Sequence, residues 1–243
     1  MRLLPYAFVM AVLLASAVRT SATGAGTGLA ETAVADLPIK LVYDPGLVRP
    51  HAIDPSEQKE VDAAKAGGVV ITYVLEAKFR PQSEKYFVVV CSSGGSDDFN
   101  CMFRTVEKSA NDGPFQTQIE GVRFEIPGDD CVYVSGHVNT TFDHRRKYCL
   151  DGYQLKEISQ PFHYVGLKTK TLHDLTFYFD KAGANAVGTI AGGEFVEVLI
   201  ADTNGDAGRL SYLVRDKNGL TGWVTLSIGH EAEDIEGLFF KGD

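Results

Sequence analysis

The run at residues 186–224, AVGTIAGGEFVEVLIADTNGDAGRLSYLVRDKNGLTGWV, leaves a chain few choices of fold. Short β-branched and aromatic stretches in it are cut by Gly192-Gly193, Asn204-Gly205 and Asn218-Gly219. Glycine and asparagine tolerate the positive φ that tight hairpins require, so each pair reads as a turn. No window between the turns is long enough for a stable helix, which leaves antiparallel β-structure. With a further run at 171–179, five short strands are expected, at 171–179, 186–190, 195–200, 210–215 and 221–224. That count and spacing predict a small closed barrel over 161–228.

The half upstream reads as β too, but it has its own punctuation. Runs at 69–75, 86–91 and 99–106 are rich in Val, Phe and Tyr, and Val122, Phe124 and Ile126 alternate with Arg123 and Glu125. Strands at 131–135, 147–150 and 153–158 follow, the last two joined at Asp151-Gly152, a strong hairpin signal. One helix start is clear. In Asp54-Pro55-Ser56-Glu57, Asp54 can cap, Pro55 suits the first helical position and Glu57 can reach back to the cap's amide, with Gly67-Gly68 as the stop. Residues 38–160 therefore predict an antiparallel β domain of about seven strands with one short helix.

The ends are simple. Residues 1–17 read as a signal peptide, with Arg2, an apolar core and Ala15-Ser16-Ala17 as a cleavage site. The apolar run is too short for a membrane span, and no cysteine follows it to take a lipid. Residues 18–37 are mostly Gly, Ala, Thr and Ser, with few large side chains, and predict a flexible leader. At 229–243 an acidic tail ends near Leu238-Phe239-Phe240, aromatics expected to fold back on the body. An exported protein, periplasmic or extracellular, is the expectation. The formal net charge of −9 argues against nucleic acid as a partner, which needs a concentrated positive surface. His144-Arg145-Arg146-Lys147 is the densest basic cluster and reads as a solvated loop tip.

Four cysteines in an exported chain point to disulfides. Of the three pairings, Cys91–Cys101 with Cys131–Cys149 joins neighbouring strands across local loops. Oxidised cysteines without C-x-x-C spacing cannot hold a metal, and no metal or cofactor is expected. Asp202-Thr203-Asn204-Gly205-Asp206 has the start of a calcium loop, but Ala207 and Leu213 stand where the glycine and the bidentate glutamate belong.

Two resemblances bear on function. VGTIAGGEFVEVL and NGLTGWV resemble the core and the closing strand of the bacterial SH3-like domain, a small β barrel of exported proteins. The resemblance implies the barrel fold, while Tyr178 stands where that family has an arginine and Ser211 or Tyr212 where it has a tryptophan, positions that shape its groove for cell-wall peptide. Apart from the resemblance, Tyr178, Phe179, Tyr212 and Trp223 are the candidate lining of a groove, because planar rings offer contact area at low entropy cost. The resemblance also implies close backbone passage at Gly222, beside Trp223. Asp130-Cys131 and Gly136-His137-Val138 resemble pieces of cell-wall cysteine peptidases, yet Val132-Tyr133 continues a strand where that family opens a helix. The expectation is a mainly β, non-catalytic exported binding protein: a disulfide-stapled domain followed by an SH3-like barrel. It would recognise cell-wall peptide or an envelope protein. An inhibitor or immunity-like factor is the alternative, and a cysteine hydrolase a third reading.

Overall fold

The computed structural model describes residues 28–94, 98–106, 116–204 and 208–242, so the signal peptide expected at 1–17 lies outside the described residues. The protein is mainly β. Its N-terminal unit comprises β1 (Ala30–Ala33), β2 (Lys40–Tyr43), β3 (Val48–Arg49), α1 (Pro55–Ala66), β4 (Ile71–Ala77), β5 (Phe87–Ser93) and β6 (Phe99–Thr105). It continues through β7 (Gln116–Glu120), β8 (Arg123–Ile126), β9 (Cys131–Gly136), β10 (His144–Asp151) and β11 (Gln154–Glu157). One antiparallel sheet was expected. Two are found, in the orders β1-β2-β8-β9-β10-β11 and β3-β4-β5-β6-β7, and β2 runs parallel to β8.

The two sheets share a core. Leu41, Phe124, Ile126, Val132 and Val134 from the first join Leu75, Phe87, Val89, Phe103 and Ile119 from the second. Phe79 stands edge-on to Phe87 at 4.8 Å. Helix α1 has the expected capping box: Asp54 accepts from the amides of Ser56 (2.7 Å) and Glu57 (2.9 Å), and Glu57 accepts from the Asp54 amide (2.9 Å). It buries no residue completely, but Val61 packs with Tyr73, Val88 and Val90 on the outer face of the second sheet. That cover explains why Phe87, Val88, Val89 and Val90 are all buried, with no alternation along β5. Among the described residues no helix lies on the outer face of the first sheet.

The disulfides join Cys91 to Cys101 and Cys131 to Cys149, each pair directly opposite on adjacent strands. Their presence suits an oxidising compartment. Among the described residues no helix is long and apolar enough to cross a membrane.

The C-terminal unit holds β12 (His163–Lys170), β13 (Leu175–Tyr178), β14 (Ala186–Ile190), β15 (Phe195–Asp202), β16 (Arg209–Asp216), β17 (Thr221–Ser227) and the short α2 (Glu231–Asp234). The sheet order is β12-β15-β16-β17-β13-β14. This corrects the closed five-stranded barrel: there are six strands, and no ladder among the described residues joins β12 to β14. The extra strand, β12, lies at the start of the range expected for the barrel, ahead of the first strand expected there at 171–179. A register shift between Tyr164 and Leu167, with Gly166 at φ +67°, breaks its alternation. The sheet nonetheless wraps one core, because Val165, Phe177, Ile190, Val198, Tyr212 and Val224, one from each strand, belong to a single buried cluster.

Three further expectations change. The leader at 18–37 is not wholly loose, since β1 pairs with β2, and Val34 and Leu37 are buried. Arg145, Arg146 and Lys147 lie along β10 and not at a loop tip. In the tail, Leu238 is fully buried while Phe239 and Phe240 remain 49 % and 43 % exposed.

The units are fastened by the segment between β9 and β10. Phe142 leaves the N-terminal unit and enters the C-terminal core, and Thr140 pairs with Lys241 of the tail. Thr141 donates to Glu231 (3.4 Å), a fully buried carboxylate that also accepts from the Gly229 amide (2.7 Å).

Candidate functional site

Strands β13 and β17 meet at one register pair, Tyr178 opposite Trp223. Their chain neighbours Phe177 and Val224 are buried, so period-two alternation turns Tyr178 and Trp223 to the outer face. Gly222 makes this approach possible. A Cβ there would stand 2.7 Å from the Tyr178 carbonyl oxygen and 2.7 Å from the Phe177 ring. The glycine expected beside Trp223 is thus required by backbone proximity.

The two rings line a cleft of about 620 Å³. One wall is the turn after β13, with Asp180, Lys181, Ala182 and Gly183. The floor includes Ser211 and Thr225, whose hydroxyls share a hydrogen bond of 2.9 Å, and the far side carries Asp202, Asn204 and Arg209. Asp180 accepts from the Ala184 amide (3.3 Å) and so shapes the turn. Arg209 donates to the Thr225 carbonyl (3.1 Å).

Lys181 is the electrostatic centre. Its ammonium pairs with Asp202 and stands 5.3 Å from the centroid of Trp223 and 5.8 Å from that of Phe162. Phe162 itself lies 6.0 Å from Trp223. The Lys181 bond, and then the Asn204 amide, hold the Asp202 carboxyl below its ordinary range although burial opposes this. Asp202 is therefore an anion engaged by a lysine, an occupied acceptor and not half of a calcium loop. Gly205 to Ala207 of that loop lie outside the described residues.

The four aromatic candidates separate. Tyr178 and Trp223 share the cleft; Phe179, 76 % exposed, does not line it. Tyr212 is a correction. It is fully buried in the core, edge-on to Phe142 at 6.3 Å, with its hydroxyl 3.4 Å from Glu231. Burial, and then the Glu231 carboxylate, push its phenol well above the ordinary tyrosine value. Its position on β16, between Ser211 and Leu213, faces inward, so it is a packing residue.

Lys181, Asp202 and Arg209 complete the site and were not singled out together from sequence. The only local signal was Lys181 following an aromatic strand end. No histidine or cysteine lines the cleft among the described residues. Cys131 is bonded to Cys149, and the His137 ring, tilted against that of Phe239, lies 2.9 Å from the Phe239 carbonyl oxygen, so the cysteine-hydrolase reading has no free thiol at that position. What the cleft can do is bind: two aromatic faces lie beside ammonium, guanidinium and carboxylate groups, with hydroxyls on the floor.

Compared with known proteins, the chain matches no family model, no curated protein and no solved structure.

Proposed function

We propose that this chain is an exported, non-catalytic binding protein that takes a short peptide of mixed charge, of the cell-wall kind, into the cleft on its C-terminal sheet. The observation behind this reading is the joining of Tyr178 and Trp223 with Lys181, Arg209, Asp180 and Asp202 in one concavity. A zwitterionic peptide needs such a set: cations for its carboxylates, carboxylates for its ammonium groups, and rings for the aliphatic stems between. The disulfides agree with export.

Trp223 is the chain's sole tryptophan, so its fluorescence reports on this cleft alone. Titration with soluble disaccharide-peptides released from peptidoglycan should give a saturable change. Tyr178→Ala and Lys181→Ala should each weaken binding by about tenfold, in line with loss of one aromatic or charged anchor. No saturable change up to millimolar ligand would overturn the reading. A second reading, an inhibitor of a secreted enzyme, draws on Phe179, whose exposed ring beside the cleft suits a protein partner. Recovery of a stoichiometric protein complex from envelope extracts, lost in Phe179→Ala, would favour it.

A further inference from the structure

The outer face of the first sheet, which no described helix covers, carries a second groove, of about 410 Å³. Its geometry follows from strand register. Arg123 on β8 lies opposite Ser135 on β9, and Ser135 lies opposite Arg145 on β10. One step along, Glu125 lies opposite Tyr133, and Tyr133 opposite Lys147. Because the steps are two residues apart on every strand, all six side chains point to one face. The segment after β11 extends both rows: the Gln160 side chain donates to the Arg145 carbonyl (2.9 Å), and the Ile158 amide donates to the Lys147 carbonyl (2.8 Å). Lys40 on β2, in register with Arg123, lengthens the first row. Arg146 alternates to the other face, where it donates to the Glu120 carbonyl and lies 5.6 Å from the Tyr148 ring centroid.

Among the described residues, Arg123, Arg145 and Lys147 thus face the groove with Glu125 between their rows, and the further carboxylates nearby, Glu31, Asp143 and Asp129, stand at its margin, bonded to Arg123, Arg145 and Tyr133. Lys147 has no carboxylate within 4.0 Å among the described residues; its ammonium stands 5.1 Å from the Tyr133 centroid. Arg123 pairs with Glu31 (2.7 Å) and Arg145 with Asp143 (3.3 Å), in both cases with more than two-fifths of each side chain exposed. Exposed pairs of this kind are weak, so both guanidiniums are open to exchange for a better acceptor. They sit two strands apart, roughly 10 Å between backbones, on either side of the Ser135 hydroxyl. A tetrahedral oxyanion above Ser135 is within reach of both, in the forked geometry that guanidinium favours.

The rest of the groove selects the carrier. Tyr133, its hydroxyl donating to Asp129 (2.7 Å), and Ile158, 45 % exposed, give a shallow apolar platform. Gln160 and Ser135 add hydrogen-bonding groups. An exposed ring and an aliphatic side chain beside hydrogen-bonding groups have the chemistry to receive the C–H face of a sugar ring. We infer that this face is a binding site for an anionic saccharide, one whose ring lies on Tyr133 and Ile158 while its sulfate or phosphate ester is clamped by Arg123, Ser135 and Arg145. It is separate from the aromatic cleft, and it needs no chemistry at either ester.

Calorimetric titration of the whole protein tests this with four probes: a heparin-derived sulfated tetrasaccharide, its desulfated form, mannose 6-phosphate, and a single-stranded DNA oligomer of equal charge. The sulfated sugar, the phosphorylated one or both should bind, at least tenfold more tightly than the desulfated sugar and more weakly as salt rises. Which of the two binds better identifies the ester. Arg123→Ala with Arg145→Ala should abolish binding, Lys147→Glu should weaken it at least tenfold, and Tyr133→Ala several-fold. Lys59→Ala, a cation on α1 away from the groove, should bind as the parent does. An unchanged thermal melt shows that each variant is folded. No binding by either ester, DNA binding as tight as sugar binding, or an unaltered affinity in the folded double-arginine variant would overturn the inference.

Discussion

The two units solve the same problem, closing a β-core, by different means. The N-terminal unit faces two sheets across a core of Phe, Val, Leu and Ile, covers a second face with α1, and bridges strands with both disulfides. The C-terminal unit has one curled sheet and no cysteine. Its core is completed from outside the sheet, by Phe142 of the N-terminal unit and by Ile235 and Leu238 of the tail. Covalent closure constrains the unfolded chain wherever it acts, whereas borrowed closure holds only while the lender is folded. The second unit is therefore expected to depend on the first, and the first much less on the second.

The largest test of that asymmetry is Phe142→Ala. Loss of a buried phenylalanine should cost about 3–5 kcal/mol, and the cost should fall on the unit that does not contain the residue in sequence. Trp223 fluorescence in urea should report a lower midpoint, while amide exchange in β5 and β6 stays slow. Equal loss of protection in both units would break the comparison.

Removing one bridge at a time comes next. Each closes a local loop, with sequence separations of 10 and 18, and each should contribute about 3 kcal/mol. Cys91→Ser with Cys101→Ser lies away from Phe142 and should lower the stability of the N-terminal unit directly, moving the Trp223 transition only where that unit itself unfolds. Cys131→Ser with Cys149→Ser loosens the hairpin that carries Phe142, so the Trp223 transition should shift with it. Identical behaviour of the two pairs, read by circular dichroism and fluorescence, would remove the coupling.

Two histidine clusters sharpen the contrast through pH. At the junction, His144 and His163 lie 2.9 Å apart. Burial, then the charge of His163 and of Arg146, depress His144 from 6.5 to about 4, and burial also lowers His163. The unfolded chain takes up these protons near 6.5 and the folded chain resists them. Their stabilisation is full above that pH and is lost as pH falls towards 4, on the order of 1–2 kcal/mol after allowance for solvent access. Within the N-terminal unit, His51 bonds Glu76 (3.0 Å) and Glu57 (2.9 Å). Burial opposes its charge, but those carboxylates outweigh it and raise its value. Its contribution is present below about 6.5 and fades as pH rises through that raised value. Unfolding at pH 5 and 8 should show His144→Asn reducing the acid sensitivity and His51→Asn reducing the alkaline one.

The smallest expected effect is Asp54→Ala. It removes the cap of α1 and should cost about 1 kcal/mol, seen in the N-terminal melt and not at Trp223.

Much of this was legible in the chain because its cause is local. The capping box at Asp54 and Glu57, the Gly152, Gly193 and Gly219 turns at positive φ, and the two cysteine pairs each depend on near neighbours. The strands β1, AETA, and β7, QTQIE, were missed because they are short and polar, with strand character supplied by backbone pairing. Strand β12 hid behind Gly166. At the cleft, Trp223 and Gly222 were legible from their spacing, and Lys181 and Asp202 were not, since 21 residues separate them and their meeting needs the sheet to curl.

By itself the sequence determined the class of the protein: mainly β, with turns at its glycines and bridges between its cysteines. Periodicity and turn chemistry are properties of neighbouring residues. Only the tertiary structure decided that the sheets were two and then one, and that β2 joins β8 in parallel across some eighty residues. It also decided that Tyr212 looks inward, that Phe142 belongs to another unit's core, and that Arg123, Arg145 and Lys147 share a face. Each of those outcomes depends on strand register and packing between residues distant in the chain, which no local pattern encodes.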